Sequence, residues 1–309
     1  NNVFKHQICT DIYGFKTSCK ENKRDMKKSD FAFIGDSFTE GLGLNYEDTF
    51  VGMFANRRKD QKIVNLGVES YSPKIYYKKI QYLINDGFVF KNLIIFFDIS
   101  DILNENFYTI DEHGNISTRG KLDYNSKIYS DYKFLFRMKK LLKENFVISY
   151  FLYRQFKIKI KNLNHKNLQN SYEIFNDKHL IHARWTFENK YSNRDKRWIE
   201  FGKKESLKYI DEIYKLGKKN NFTISLAVYP WPSQILYDND TARKTLGQFW
   251  RDYCDNKCKY FINYLEVFHD LKKERSSENI VKDYYFKSDV HFNQKGNHLI
   301  FLGLDKIIN

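Results

Sequence analysis

The chain has 309 residues, of which 42% are hydrophobic and 17% aromatic, so it can bury a sizeable core and is neither disordered nor fibrous. Its formal net charge of +14 indicates either a polyanionic partner, such as nucleic acid, anionic lipid or an acidic glycan, or lysines that are simply solvated. Lysine is spread along the whole chain, which favours the second interpretation. Because no nucleic-acid-binding motif is found, we predict no nucleic-acid partner.

Residues 1–30 are polar and basic with little periodicity, and we predict a surface segment there. From there on, two parts of the chain, 31–102 and 197–309, alternate short apolar runs with amphipathic helical patterns. The apolar runs, typical of buried strands, lie at 31–34, 62–66, 93–97, 222–228 and 260–263. The alternation predicts an α/β fold, a three-layer α/β/α sandwich with a central, mostly parallel five-stranded sheet.

Between these two parts, residues 103–196 hold no clear strand–helix unit. The stretch is too long for a plain loop, which indicates an insertion or subdomain. From Tyr132 to Leu163 there are nine Lys or Arg and one acidic residue. We interpret the insertion as mainly helical and basic. It would either cap the sheet or contact a membrane surface or an acidic polymer.

Four cysteines form two pairs that are each local in sequence: Cys9 with Cys19, and Cys254 with Cys258. Neither pair has the C-x₂-C spacing of a zinc site, and we predict no metal. Two short-loop disulfides formed in an oxidising compartment fit the spacing better, with four unrelated thiols as the alternative. Because the chain begins with Asn instead of Met, we also expect that an export signal or membrane anchor was removed upstream.

A serine motif follows the first predicted strand directly, Gly-Asp-Ser-Phe at 35–38. Ligands bind at the carboxyl ends of strands in open parallel sheets, so Ser37 would be exposed to substrate. Such a serine needs a base, and the base needs an acceptor that fixes its tautomer. Near the other end of the chain, Asp289 and His291 precede the last predicted helix. We therefore predict Ser37 as nucleophile, His291 as base and Asp289 as orienting acid, whereas His298 falls on a helix face.

These blocks together resemble the SGNH/GDSL hydrolase family. Gly-Asp-Ser-Phe-Thr-Glu-Gly at 35–41 is similar to its first motif, and the block at 289–296 is similar to its last. Asn-Leu-Gly at 65–67 looks like its second block. The resemblance covers about 31–102 and 197–309, but not the insertion. It implies an acyl-enzyme mechanism that needs no cofactor.

The resemblance also implies an oxyanion hole formed by the backbone N–H groups of Ser37 and Gly67. In the third block, Asp-Ile-Ser-Asp at 98–101, Ser100 stands where the family has Asn, so it could donate only through its hydroxyl. Loss of one such donor typically costs about 10²–10³ in rate. Three further residues are predicted to contact substrate: Asp36, Asp101 and Trp231. The alternatives are a structural role for Asp98 and Asp101, as acceptors of nearby loop amides, and a position at the edge of the core for Trp231.

The acid at Asp289 stands one residue nearer to His291 than in the family's common Asp-x-x-His, which would put Ser288 at the acid position. This spacing resembles bacterial envelope-polysaccharide acyl esterases and acyltransferases. We therefore predict a serine-dependent O-acyl esterase or acyltransferase, with O-acetyl as the expected group, acting on an extracytoplasmic glycan. Its location would be periplasmic or otherwise outside the cytoplasm, with association to the membrane through a missing N-terminal anchor.

The substrate partner on this hypothesis is a glycan or another acyl ester, and a transferase would draw its acyl group from a membrane-bound donor protein. Two alternatives remain open. A lipase or lysophospholipase would use the basic insertion as an interfacial lid, and a non-catalytic glycan-binding protein with the same fold would have a decayed site. The altered third block is the observation that favours the second alternative.

Overall fold

A seven-stranded sheet runs through the part of the chain that the computed structural model describes, which comprises residues 6–20, 25–118, 183–187, 193–237, 241 and 243–308. The strands of this sheet are β1 (Cys9–Thr10), β2 (Lys16–Thr17), β3 (Lys28–Ile34), β4 (Ile63–Asn65), β5 (Val89–Phe97), β8 (Thr223–Val228) and β9 (Phe261–Asn263). Their spatial order is β1-β2-β4-β3-β5-β8-β9. The five neighbouring strands β4, β3, β5, β8 and β9 pair in parallel, which confirms the predicted fold class.

The helices of the described residues are α1 (Ser37–Glu40), α2 (Phe50–Arg57), α3 (Pro73–Asn85), α4 (Ile99–Asn104), α5 (Asn193–Asn220), α6 (Pro232–Leu236), α7 (Gln248–Cys254), α8 (Tyr264–Lys272), α9 (Ser277–Tyr284) and α10 (Gln294–Ile307). Short 3₁₀ turns lie at Tyr46–Asp48 and Arg184–Thr186, and a π-helical turn at Arg243–Gly247 precedes α7.

The central strand β5 shows how the helices cover both faces of the sheet. Successive side chains of a strand point to opposite faces. Phe96 packs against Phe50 of α2, with ring centroids 4.6 Å apart, whereas Phe97 packs against Tyr76 of α3 at 6.3 Å. Helix α10 packs on α2, and α5 packs on α3 and α4. The sheet is therefore the middle layer of three, which explains why 93–97 reads as an uninterrupted apolar run.

The N-terminal segment differs from the prediction, because it adds two strands to the edge of the sheet beyond the five that were predicted. Strand β2 pairs antiparallel with both β1 and β4, and the Cys9–Cys19 disulfide joins the ends of the β1–β2 hairpin. Lys16 turns inward from β2, and its Nζ donates to the carbonyl oxygens of Gly41 and Leu44 at 2.8 and 2.9 Å. Burial lowers the pKa of Lys16 to about 8. The segment thus fixes the turn that follows α1.

Both predicted disulfides are confirmed, since Cys254 and Cys258 also pair, at the end of α7. Among the described residues, no helix is both long and apolar enough to cross a bilayer.

The chain divides into two compact units, residues 1–108 with 175–309, and residues 109–174. Strands β6 (Tyr108–Ile110) and β7 (Ile116–Thr118) form a separate two-stranded sheet. The predicted helical and basic insertion at 103–196 lies largely outside the described residues, including its basic stretch from 132 to 163.

Candidate active site

Ser37 is the first residue of α1, directly after the carboxyl end of β3. Asp36 caps this helix, because its Oδ1 accepts a hydrogen bond from the backbone N–H of Phe38 at 3.0 Å. Ser37 is 7% exposed, and its side-chain hydroxyl contacts a histidine ring. Its Oγ lies 2.8 Å from Nε2 of His291, which is 254 residues away in sequence. The two predicted residues therefore meet at the carboxyl end of β3.

The second nitrogen of the His291 ring faces a carboxylate. Nδ1 lies 2.6 Å from Oδ1 of Asp289, and the same oxygen accepts the His291 backbone N–H at 3.1 Å. Burial acts to raise the pKa of Asp289, but the hydrogen bonds and charge of His291 outweigh it, so this pKa lies below its ordinary value. An ionised acceptor at this position holds the proton on Nδ1 and leaves Nε2 free to accept the proton of Ser37.

A tight hairpin carries the acid and the histidine. Its base is closed by the bridge between Tyr285 and Phe292 and by the Phe286 N–H, which donates to the His291 carbonyl at 3.0 Å. Ser288 adopts a left-handed backbone conformation, with φ of 60°, and this reverses the chain just before Asp289. The turn therefore puts Asp289, and not Ser288, beside the ring.

The three predicted oxyanion donors differ in how their protons are used. Ser37, at the first position of α1, has a backbone N–H with no acceptor in its own helix. The Gly67 N–H donates to Asn65 Oδ1 at 2.9 Å, and the Ser100 hydroxyl donates to Asp98 Oδ1 at 2.6 Å. A Cβ on Gly67 would lie 2.4 Å from the backbone nitrogen of Glu40, so this close approach to α1 requires glycine.

Asp36 and Asp101, predicted to contact substrate, lie below the site instead. Both are buried, with Asp101 0% exposed. The Asp101 carboxylate completes a capping box at the start of α4 and accepts the Tyr76 hydroxyl at 2.6 Å. Asp36 accepts the Tyr229 hydroxyl at 3.0 Å. Burial, together with the charge of Asp98, raises the pKa of both Asp36 and Asp101 well above the usual range.

The prediction that Trp231 contacts substrate is corrected in the same way. Only 6% of its surface is exposed, and its indole Nε1 donates to Asp98 Oδ2 at 2.6 Å. It is not a surface platform for a sugar. Asp98 is the centre of this buried group, since it accepts from Trp231 and from both the N–H and the hydroxyl of Ser100. We call Asp36, Asp98 and Asp101 the buried acid cluster.

Sequence reasoning missed the two tyrosines that hold the buried acid cluster, Tyr76 and Tyr229. Burial raises the pKa of each hydroxyl well above 10, so both stay protonated as donors. Tyr229 directly follows β8, at the same edge of the sheet as Asp36. Its position at a strand end was a usable signal, whereas Tyr76 reads in the sequence only as part of an apolar helix face.

No protein-family model and no curated protein matches the chain. Solved structures that are similar to it include a lipolytic protein of the G-D-S-L family from Veillonella parvula, with 11% identity, 90% of this chain and 97% of that chain covered, and a TM-score of 0.46. An acetylxylan esterase from Geobacillus stearothermophilus has 10% identity, coverage of 91% and 94%, and a TM-score of 0.46. The esterase EstA from Pseudoalteromonas has 11% identity, coverage of 91% and 96%, and a TM-score of 0.43. Likeness at this level does not establish a function, which has to be inferred from the side chains themselves.

Proposed function

We propose that the chain is a serine-dependent O-acyl esterase or acyltransferase. One observation carries the proposal: Ser37 Oγ, both ring nitrogens of His291 and the Asp289 carboxylate form one line of hydrogen bonds of 2.8 and 2.6 Å. A serine, a base and an acid in this order are the arrangement that activates a hydroxyl for attack on an ester carbonyl. The His291 side chain that completes this line is half-buried, with 15% of its surface exposed.

In the proposed reaction, Nε2 of His291 takes the Ser37 proton while Oγ attacks the ester carbonyl. Asp289 stabilises the imidazolium that forms, and the Ser37 backbone N–H donates to the oxyanion. His291 then gives the proton to the departing alcohol, which leaves an acyl group on Ser37. A water molecule or an acceptor hydroxyl, deprotonated by His291, removes this group in the second half of the reaction. Hydrolysis and transfer differ only in that last partner.

The glycan part of the proposal, with O-acetyl as the expected acyl group, has separate support. Two disulfides favour folding in an oxidising compartment, where envelope and extracellular glycans are found. The chain's positive charge suits acidic polymers. A lipase-type esterase, which would use the insertion as its lid, remains the alternative, and the basic stretch of that insertion from 132 to 163 lies outside the described residues.

Labelling with a fluorophosphonate tests the nucleophile directly. Wild-type protein should be labelled and should hydrolyse 4-nitrophenyl acetate, whereas Ser37→Ala should lose the label and about 10⁴-fold or more of the rate. Ser29→Ala is the matched control, because Ser29 is also buried and lies on β3, the strand that precedes Ser37, with its hydroxyl donating to the Met26 carbonyl. Equal labelling of wild type and Ser37→Ala, or none of either with no hydrolysis, would overturn the proposal.

A further inference from the structure

A partly open cavity of about 530 Å³ lies beside the proposed active site. This volume is within the range of about 300–1,000 Å³ that small-molecule sites occupy. The residues that line it are His6, Gly43, Leu44, Asn45, Asp48, Lys282, Asp283, Tyr285, Phe286, Lys287, Asn293, Gln294 and Lys295. Neither Ser37 nor His291 is among them, so the cavity is a neighbour of the proposed reaction centre and not the centre itself.

Both loops of the proposed active site form walls of this cavity. The turn after α1 is tied to the nucleophile, because the backbone N–H groups of Gly41 and Leu42 donate to the Ser37 carbonyl at 3.0 Å. Gly43 continues this turn with φ of 83°, and a Cβ there would lie 3.2 Å from the Phe286 ring. Phe286 in turn belongs to the base of the hairpin that carries His291. A ligand in the cavity would therefore contact the two segments that hold nucleophile and base.

The charge of the cavity is positive. Lys282, Lys287 and Lys295 are all exposed, and within the described residues none of them forms an ion pair with a carboxylate. The two acids of the wall are already engaged. Asp283 pairs with Arg275, and the charges of Lys295 and Lys282 also lower its pKa. Asp48 accepts the Gln294 side-chain N–H at 2.7 Å. The three lysines and Arg275 therefore outnumber the two acids.

The rest of the wall is held in place by its own hydrogen bonds. The Asn293 side chain donates to the carbonyl oxygens of Asp283 and Tyr285 at 2.9 and 3.0 Å. The Asn45 side chain accepts from the Gln7 backbone at 2.9 Å. The lysines thus stand beside a preformed frame, and the half-buried ring of Phe286 supplies apolar surface in the same wall. Cationic heads around a concave wall with some apolar surface suit a sugar ring that carries an acidic group.

We propose that this cavity binds an acidic sugar unit, through its carboxylate or phosphate group, in the glycan whose neighbouring ester reaches Ser37. The part of this inference that concerns the ester at Ser37 rests on the proposed function. Binding in the cavity makes the esterase selective for polyanionic over neutral glycans. Three lysines around one site attract a polyanionic glycan from a distance. They hold it weakly, because salt screens exposed charges.

Selectivity is tested by replacing Lys282, Lys287 and Lys295 together with Ala. The measured quantity is the ratio of kcat/KM for acetylated polygalacturonate to kcat/KM for acetylated xylan, which is neutral. Wild type should prefer the acidic polymer, and the triple variant should lose about tenfold of that ratio, mainly through KM. The control removes the same charge elsewhere, with Ala at Lys59, Lys219 and Lys306, which are exposed and do not line the cavity. An unchanged ratio in the cavity variant, or an equal loss in the control, would contradict the proposal.

Direct binding separates this inference from the proposed function. Ser37→Ala protein is titrated calorimetrically with an ester-free oligogalacturonide and, in a second series, with a phosphomannan fragment. Binding of either one, weakened about tenfold by the cavity substitutions and by 0.5 M salt, supports the site and identifies the acidic group. If wild type hydrolyses no ester while this binding persists, only the proposed function fails. Equal binding of a neutral xylo-oligosaccharide, or binding of phosphatidylglycerol vesicles without any oligosaccharide binding, would overturn the inference.

Discussion

Asp289 and Asp36 both stand next to the proposed nucleophile, yet they are opposite in character. Asp289 reaches Ser37 through the His291 ring, has a side chain that is 48% exposed, and has a lowered pKa for which the hydrogen bonds of His291 outweigh the effect of burial. Asp36 precedes Ser37 in the chain, is 3% exposed, and has a pKa that burial and the charge of Asp98 raise. Proximity to a reactive serine therefore does not define a role.

The difference indicates that the extent of burial separates these carboxylates into two roles, one in the proposed reaction and one in the stability of the fold. The ionised acid at the surface can stabilise a positive charge that appears during a reaction. The buried acids instead hold the ends of β3, β5 and β8 together through Tyr76, Tyr229 and Trp231. Substitutions at the first group should change the rate and spare stability, whereas substitutions at the second should change stability and spare the rate of the folded protein.

The largest expected effect is at His291. His291→Ala removes the base and should lower kcat for 4-nitrophenyl acetate by about 10⁴-fold or more, with a change in the free energy of unfolding below about 1 kcal/mol. Steady-state kinetics and urea unfolding measure the two quantities on one preparation. The control is His298→Ala, an exposed histidine of α10 that stacks on Phe301 and should keep the wild-type rate. Equal losses of kcat in the two histidine variants would mean that the effect is not specific to the proposed base.

Tyr76 tests the buried side of the comparison. Tyr76→Phe deletes the donor to Asp101 and leaves a buried carboxyl oxygen without this bond, which should cost about 1–3 kcal/mol of stability. The kcat of the folded protein should stay within about threefold of wild type. Tyr77→Phe is matched by position and chemistry, since its half-buried hydroxyl accepts from Gln81 in the same helix, and it should cost less than about 0.5 kcal/mol. A large loss of kcat in folded Tyr76→Phe would show that the buried acid cluster takes part in catalysis.

The sequence indicates the proposed catalytic residues better than the buried acid cluster, for a physical reason. The chemistry proposed for Ser37, Asp289 and His291 requires particular residue types after a strand and before a helix, and these patterns are visible in sequence. The five parallel strands are visible in the same way, as apolar runs. Whether a polar residue at a strand end faces solvent or the core depends on packing by distant helices, so Asp101 and Trp231 could not be placed.

The N-terminal strands were missed for a different reason. β1 and β2 have two residues each, which is too short for any alternation of apolar and polar side chains to be detected. Their place at the sheet edge depends on the pairing of Lys16 with Asn65 and on the disulfide between Cys9 and Cys19. The pairing with Asn65 is a long-range contact that local sequence does not encode, and the disulfide, although predicted from its spacing, does not by itself indicate strands.

The last expected effect concerns the pH dependence of stability, and it separates Asp36 from Asp289 most directly. A carboxyl with a raised folded-state pKa binds a proton in the native state that the unfolded chain has already released. Its contribution is therefore lost as pH rises above about 4, the unfolded value, toward the raised pKa, at up to about 1.4 kcal/mol per pH unit. Asp289, with a lowered pKa, has the opposite sign, because its contribution is present above about pH 4 and is lost as pH falls through its folded value.

Asp36→Asn should imitate the protonated acid, since the Phe38 N–H and the Tyr229 hydroxyl both donate to the one oxygen that Asn retains. Urea unfolding between pH 4 and 8 should then show a smaller loss of stability with rising pH than in wild type. Asp289→Asn should lower stability by a constant amount between pH 4 and 8 and change the pH dependence only below about pH 4, so it leaves that slope unchanged and is the matched control. An Asp36→Asn slope equal to that of wild type would mean that Asp36 is ionised in the native protein, and the contrast between the two acids would then have to rest on exposure alone.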